Sequence, residues 1–142
     1  MIGGHKGSRI MRHRWRVPMT DLSHGFGDHA EIARLIGRYV DGARAGDSGP
    51  MREVFSEEAT ICGFLGPDKF AGPIEMLFAF VDGAGPSPDI TASIRSIQCL
   101  DGIASAVVAA RHWGGHDFED ILSFVRFGAE WKIVAKAFRL VA

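Results

Sequence analysis

Residues 113–138 read WGGHDFEDILSFVRFGAEWKIVAKAF, and the fold is decided there. Two stretches rich in aliphatic and aromatic side chains, 117–127 and 131–141, are separated by Gly128-Ala129-Glu130, and Gly114-Gly115 precedes the first. This punctuation predicts antiparallel hairpins, because glycine supplies the positive φ that tight turns need. Side chains alternate along a strand, so parity sorts them by face. On 117–127 the even set is Phe118, Asp120, Leu122, Phe124 and Arg126, and the odd set includes Ile121, Val125 and Phe127. Both faces are partly apolar, whereas a sheet covered on one side alone shows a polar opposite face. The odd, outer face is therefore expected to meet a second copy of the chain, giving a homodimer.

Register follows from the turns. With Phe127 opposite Trp131, Asp120 lies opposite Phe138 and diagonal to Lys136. With Trp113 opposite His116, Ala109 lies opposite Asp120, and Arg111 and Trp113 share its face. That face then carries Trp113, Arg111, Phe118, Asp120, Leu122, Phe124, Val134, Lys136 and Phe138. An apolar wall with a few convergent polar groups is the usual form of a small-molecule pocket. The same residues equally describe a filled core in which Asp120 is the ion-pair partner of Lys136 or Arg111, since a buried carboxylate must be paired or hydrogen-bonded.

Upstream, residues 89–99 and 103–113 read as two more strands joined at Asp101-Gly102. Ala59 to Phe64 reads as a first strand, Gly66-Pro67-Asp68 as a turn, and Lys69 to Ala71 as a short paired strand. Three helices are expected. The first opens on an Asp28/Glu31 capping box and carries an apolar stripe of Ile32, Leu35, Ile36, Tyr39, Val40 and Ala43, ending at Gly46. The second is short, with Pro50 in its first turn. The third follows Gly72-Pro73, with Ile74, Leu77, Phe78 and Val81 on one side. Helices followed by an antiparallel meander make an α+β fold, with the helices on one face of a curved sheet.

The chain has 142 residues, 46% hydrophobic and 23% charged, which suits one globular domain. Sixteen Lys and Arg against seventeen Asp and Glu give a net charge of -1. That balance excludes the basic field of a general nucleic-acid or anionic-membrane binder. No apolar run approaches the roughly 18 residues of a membrane span. Two cysteines, Cys62 and Cys99, make neither a disulfide framework nor a zinc site, and a reducing cytoplasm is the expected location. Residues 1–28 hold five basic side chains against Asp21 and Asp28. Residues 1–27 are expected to be a disordered leader or an over-extended start, with Met19 an alternative beginning, and residues 28–142 to form the domain. No P-loop or GxGxxG appears, so no cofactor is expected. His112 and His116 span the Gly-Gly hairpin and do not make a metal pair, so no metal is expected either.

Four segments carry a family likeness: IGRYVDGARAGD at 36–47, FSEEAT at 55–60, Trp113-Gly114-Gly115 leading to Phe118-Glu119-Asp120, and EWKIVAKAF at 130–138. Over residues 29–140 the chain resembles the nuclear transport factor 2-like superfamily, in particular its SnoaL-like and "putative lumazine-binding" members. The resemblance implies a cone-shaped sheet wrapped around a pocket that three N-terminal helices close. It also implies an outer sheet face that forms a homodimer. Members include isomerases, dehydratases, polyketide cyclases and transport adaptors, so fold does not fix activity.

Tyr39, on the buried stripe of the first helix, resembles the oxyanion tyrosine of ketosteroid isomerases, a hydroxyl able to donate to a developing oxyanion. The equally simple alternative is a core aromatic with a hydrogen-bonded hydroxyl. Those isomerases carry a basic aspartate on the first strand, where this chain has Thr60-Ile61-Cys62-Gly63-Phe64, and a second acid near Ser123. Asp120 is the candidate acid or base and Tyr39 its catalytic companion. Lys136, Arg111, Trp113, Phe118, Leu122 and Phe138 are the candidate ligand-binding residues. The expected ligand is a small hydrophobic or carbonyl-containing molecule. The expected activity is cofactor-free isomerisation, dehydration or cyclisation, with a non-catalytic binding domain or a dimeric interaction module as alternatives.

Overall fold

A computed structural model describes the backbone of residues 22–141 and the side chains of residues 27–141. Three helices, α1 (Leu22–Ala45), α2 (Gly49–Val54) and α3 (Glu75–Ala84), accompany six strands. The strands are β1 (Phe55–Leu65), β2 (Asp68–Pro73), β3 (Thr91–Leu100), β4 (Ile103–Trp113), β5 (His116–Phe127) and β6 (Glu130–Val141). They form one sheet in the order β2-β1-β6-β5-β4-β3. β1 and β6 run parallel and every other pair is antiparallel, so the sheet is mixed and not the fully antiparallel one expected. It is an α+β fold with a curved sheet that does not close into a barrel. Among the described residues no helix is long and apolar enough to cross a membrane.

Curvature has a local cause. Register shifts interrupt the pairing of β1 with β6, β3 with β4, β4 with β5 and β5 with β6. A bulge leaves one residue unpaired and increases the local twist, so four of them bend the sheet around the helices. The concave face meets the apolar stripe of α1, where Ile32, Leu35, Ile36, Tyr39, Val40 and Ala43 are all buried. Leu77, Phe78 and Val81 of α3 are buried as well. Ser48, just before α2, donates from its amide and hydroxyl to Asp82 of α3 at 2.7 and 2.8 Å, tying the short helices together.

Helix α1 starts earlier than the capping box indicates. Asp28 lies inside it and accepts a hydrogen bond from Trp131 Nε1 at 3.2 Å, an anchor between helix and sheet. Of the leader expected over residues 1–27, residues 1–21 lie outside the described residues, and from Leu22 the backbone is helical. Helix α1 ends as expected, with Gly46 at φ 65°.

Candidate functional site

Strands β5 and β6 bring Asp120 and Lys136 together with Tyr39 of α1 in the core. Asp120 is 1% exposed, Tyr39 1% and Lys136 4%. Tyr39 Oη donates to Asp120 Oδ2 at 3.1 Å. Lys136 Nζ donates to Tyr39 Oη and lies 3.4 Å from Asp120 Oδ2. Asp120 Oδ1 has no hydrogen-bond partner. The ammonium also sits 4.8 Å from the Tyr39 ring centroid, 5.0 Å from that of Trp113 and 5.7 Å from that of Phe138. A cation over aromatic faces is stabilised by their quadrupoles, more so when desolvated.

At Lys136 the Asp120 carboxylate acts against burial. Removal from water lowers its ammonium from the usual lysine range, and the attraction of Asp120 only partly restores it. Burial pushes the Tyr39 phenol well above its usual value, and the neighbouring carboxylate adds to the push.

Beside this triad lies a cavity of about 540 Å³, within the usual range for small-molecule sites. Lys136 lines it, with Trp113, Phe118 and Phe138 from the sheet. Ile61, Leu65 and Phe70 come from β1 and β2, and Leu77, Phe80 and Ala84 from α3. Lys136 is the one Lys, Arg, Asp or Glu among the lining residues. The rings form an edge-to-face series, from Tyr39 to Trp113 at 6.0 Å, Trp113 to Phe118 at 5.7 Å, Phe118 to Phe138 at 6.1 Å and Phe138 to Phe70 at 6.1 Å. Such contacts fix ring orientation as well as fill space. Gly63 lets Phe138 lie flat across β1, because a Cβ there would overlap the Phe138 carbonyl oxygen and ring.

The expected residues divide into three groups. Trp113, Phe118, Phe138 and Lys136 line the cavity. Tyr39 and Asp120 are not lining residues and stand behind Lys136 as its polar partners. Arg111 and Leu122 leave the site altogether. Leu122 is fully buried core. Arg111 is exposed and pairs with Asp117 at 3.4 Å.

The reason is a bulge at Arg111-His112. Trp113 pairs with His116 as expected, but Ala110 pairs with Phe118, so Val108 and not Ala109 lies opposite Asp120. His112 takes φ 59° there, and its amide donates to Asp117 Oδ1 at 3.0 Å. One extra residue moves Arg111 off the inner face. On the other side two departures cancel. The β5–β6 turn is one residue tighter, with Phe127 opposite Glu130, and a bulge between Ser123 and Phe124 restores Asp120 opposite Phe138. Within that bulge Ile133, not Val134, is the buried side chain.

Sequence reasoning missed the second wall: Ile61, Leu65, Phe70, Phe80 and Ser87. Phe70 was legible as part of a short paired strand. Its place in the pocket depends on β1 running parallel to β6, which no local pattern announces. His116, read with His112 as a rejected metal pair, lines the cavity alone.

Comparison with known proteins agrees with this geometry. No curated protein matches the sequence. Among solved structures, an NTF2-like protein of unknown function from Methylobacillus flagellatus KT is 28% identical, with a TM-score of 0.76 over 89% of this chain and 97% of that one. An NTF2-like protein of unknown function from Shewanella baltica OS155 is also 28% identical, with a TM-score of 0.78 over 82% and 96%. A "putative ketosteroid isomerase" from Parabacteroides distasonis ATCC 8503, 16% identical with a TM-score of 0.57 over 75% and 85%, shares the fold. The model of the "Putative lumazine-binding" family matches residues 27–139. The chain therefore belongs to that family and, with it, to the nuclear transport factor 2-like superfamily.

Proposed function

We propose that the protein binds a small, apolar, neutral carbonyl compound, with Lys136 donating to the carbonyl oxygen. The observation that carries this is one buried lysine in the wall of a largely apolar cavity, its ammonium already balanced by Asp120. An ammonium has three donors. Tyr39 and Asp120 are its polar partners here, which leaves one direction for a ligand. Because the Asp120–Lys136 pair carries no net charge, a carboxylate ligand would bring an uncompensated anion into an apolar site, at a cost of several kcal/mol or more. A carbonyl needs only the donor. The same contact polarises the C=O bond, the first requirement of isomerisation, dehydration or cyclisation next to a carbonyl. No carboxylate is among the lining residues, so Tyr39 and Asp120 act on a ligand through Lys136 as positioning groups. Titration with a panel of aryl ketones, followed by tryptophan fluorescence, tests the reading. Saturable quenching, lost in Ala84→Trp, is expected. A panel without any saturable binding at millimolar concentration would refute it.

The outer sheet face supports self-association. Leu100, Ile103 and Val125 align across three strands, as do Val107, Ile121 and Ala137. Between these rows lie Ser105, Ser123 and Ala135, so the centre of the face carries small, uncharged side chains. Leu100 is 66% and Ile121 54% exposed. Apolar surface of this kind marks an interaction site, and a homodimer through this face is the arrangement inferred.

A further inference from the structure

We propose that Lys136 forms a protonated imine with aldehydes or ketones that enter the cavity, so that the pocket captures its ligand covalently and reversibly. This rests on the carbonyl-binding reading above and goes one step beyond it, from hydrogen bond to bond formation.

The geometry supplies the parts. Lys136 lines the cavity, and its Nζ is flanked by the Trp113 and Phe138 rings, at 5.0 and 5.7 Å. Nucleophilic attack needs the neutral amine, and the side chains behind Lys136 provide a route for its proton. Nζ donates to Tyr39 Oη, which in turn donates to Asp120 Oδ2. One proton shifts from Nζ to Oη as another shifts from Oη to Oδ2. That leaves a neutral amine, an intact phenol and a carboxylic acid. Burial favours this direction, since it lowers the ammonium from the usual lysine range. Asp120 Oδ1, without a partner, is a further acceptor position on the same carboxyl group.

The amine lone pair then attacks the carbonyl carbon. A C–N bond forms, the C=O π pair moves to oxygen, and transfer of an ammonium proton to that oxygen gives the neutral carbinolamine. The relay returns its proton to the carbinolamine hydroxyl, which leaves as water while the nitrogen lone pair forms the C=N bond. The sum is ammonium plus carbonyl giving iminium plus water, with no oxidant or other reactant. Charge is conserved, so the iminium takes the place of the ammonium beside Asp120 and the buried pair stays balanced. The product is favoured by an apolar wall that holds the ligand's hydrocarbon part against the amine.

The chain has four lysines, Lys6, Lys69, Lys132 and Lys136, which makes the test simple to read. The full-length protein is incubated with 6-methoxy-2-naphthaldehyde at neutral pH, reduced with borohydride, and mapped by peptide mass spectrometry. Binding is followed in parallel by fluorescence. The reduced adduct is expected on Lys136 ahead of the exposed Lys69, and absent there in Lys136→Arg. In Tyr39→Phe, where the relay is cut, trapping should slow about 100-fold while binding persists. Saturable binding without a Lys136 adduct overturns the imine and leaves the carbonyl-binding reading standing. Absence of binding as well as of adduct overturns both. Labelling of Lys136 no faster than of Lys69 overturns the imine too.

Discussion

Removing one half of the buried Asp120–Lys136 pair should cost far more than removing both. In Lys136→Met the replacement side chain fits an apolar wall, but Asp120, 1% exposed, is left with only the Tyr39 hydroxyl as donor and Oδ1 still unpartnered. Breaking a buried ion pair in this way costs about 3–5 kcal/mol. For a domain of this size that is a fall in Tm of roughly 10–15 °C. Asp120→Asn strands the buried ammonium instead, without its carboxylate partner, and should also be strongly destabilising. The double variant Asp120→Asn, Lys136→Met leaves no uncompensated charge and should recover most of the loss. Urea denaturation of the four proteins at one pH gives the double-mutant cycle, with a coupling energy of about 3 kcal/mol or more expected. Single changes that each cost under about 1 kcal/mol and simply add would refute the claim that these groups are paired in a dry core.

Three further outcomes follow from the same contacts. Tyr39 is the only tyrosine in the chain, so phenolate absorbance reports it alone. Its proton should persist well above pH 10 while the fold lasts. Above pH 10 the unfolded chain loses this proton and the folded chain keeps it, so stability falls as pH rises there, and a phenolate signal appearing near pH 10 in folded protein would contradict this. Gly63→Ala should displace Phe138, costing about 1–3 kcal/mol and weakening ketone binding, whereas unchanged stability and affinity would show that Phe138 is not held by that contact. Ile121→Lys, placed at the middle of the outer face, should convert a dimer to a monomer in light scattering, and a wild-type monomer at micromolar concentration would remove the self-association reading.

The strands around residues 113–138 were legible because their hydrophobic alternation and glycine turns are local signals. Asp120 opposite Phe138 was correct even though the turn was misjudged, since the bulge at Ser123/Phe124 offset a tighter turn. No such compensation existed on β4, and Arg111 was placed on the wrong face. A bulge there depends on Asp117 accepting the His112 amide, a contact invisible to parity. Tyr39, Asp120 and Lys136 were each singled out from separate segments. That Lys136 alone reaches the cavity, with the other two behind it, is a matter of depth that spacing does not encode. The parallel β1–β6 pairing and the wall it brings were likewise out of reach, because they join segments some seventy residues apart.

Recognition of a neutral carbonyl by Lys136 in a largely apolar pocket can be read from calorimetric titration with three ligands of one shape: an aryl ketone, the hydrocarbon lacking its oxygen, and the corresponding carboxylate, each against the wild type and Lys136→Met. The ketone is expected to bind the wild type about tenfold or more tighter than either analogue, the worth of one buried hydrogen bond to a charged donor. Ketone and hydrocarbon are expected to bind Lys136→Met alike. A wild-type preference for the carboxylate, or equal wild-type affinity for ketone and hydrocarbon, would show that Lys136 does not recognise a neutral carbonyl.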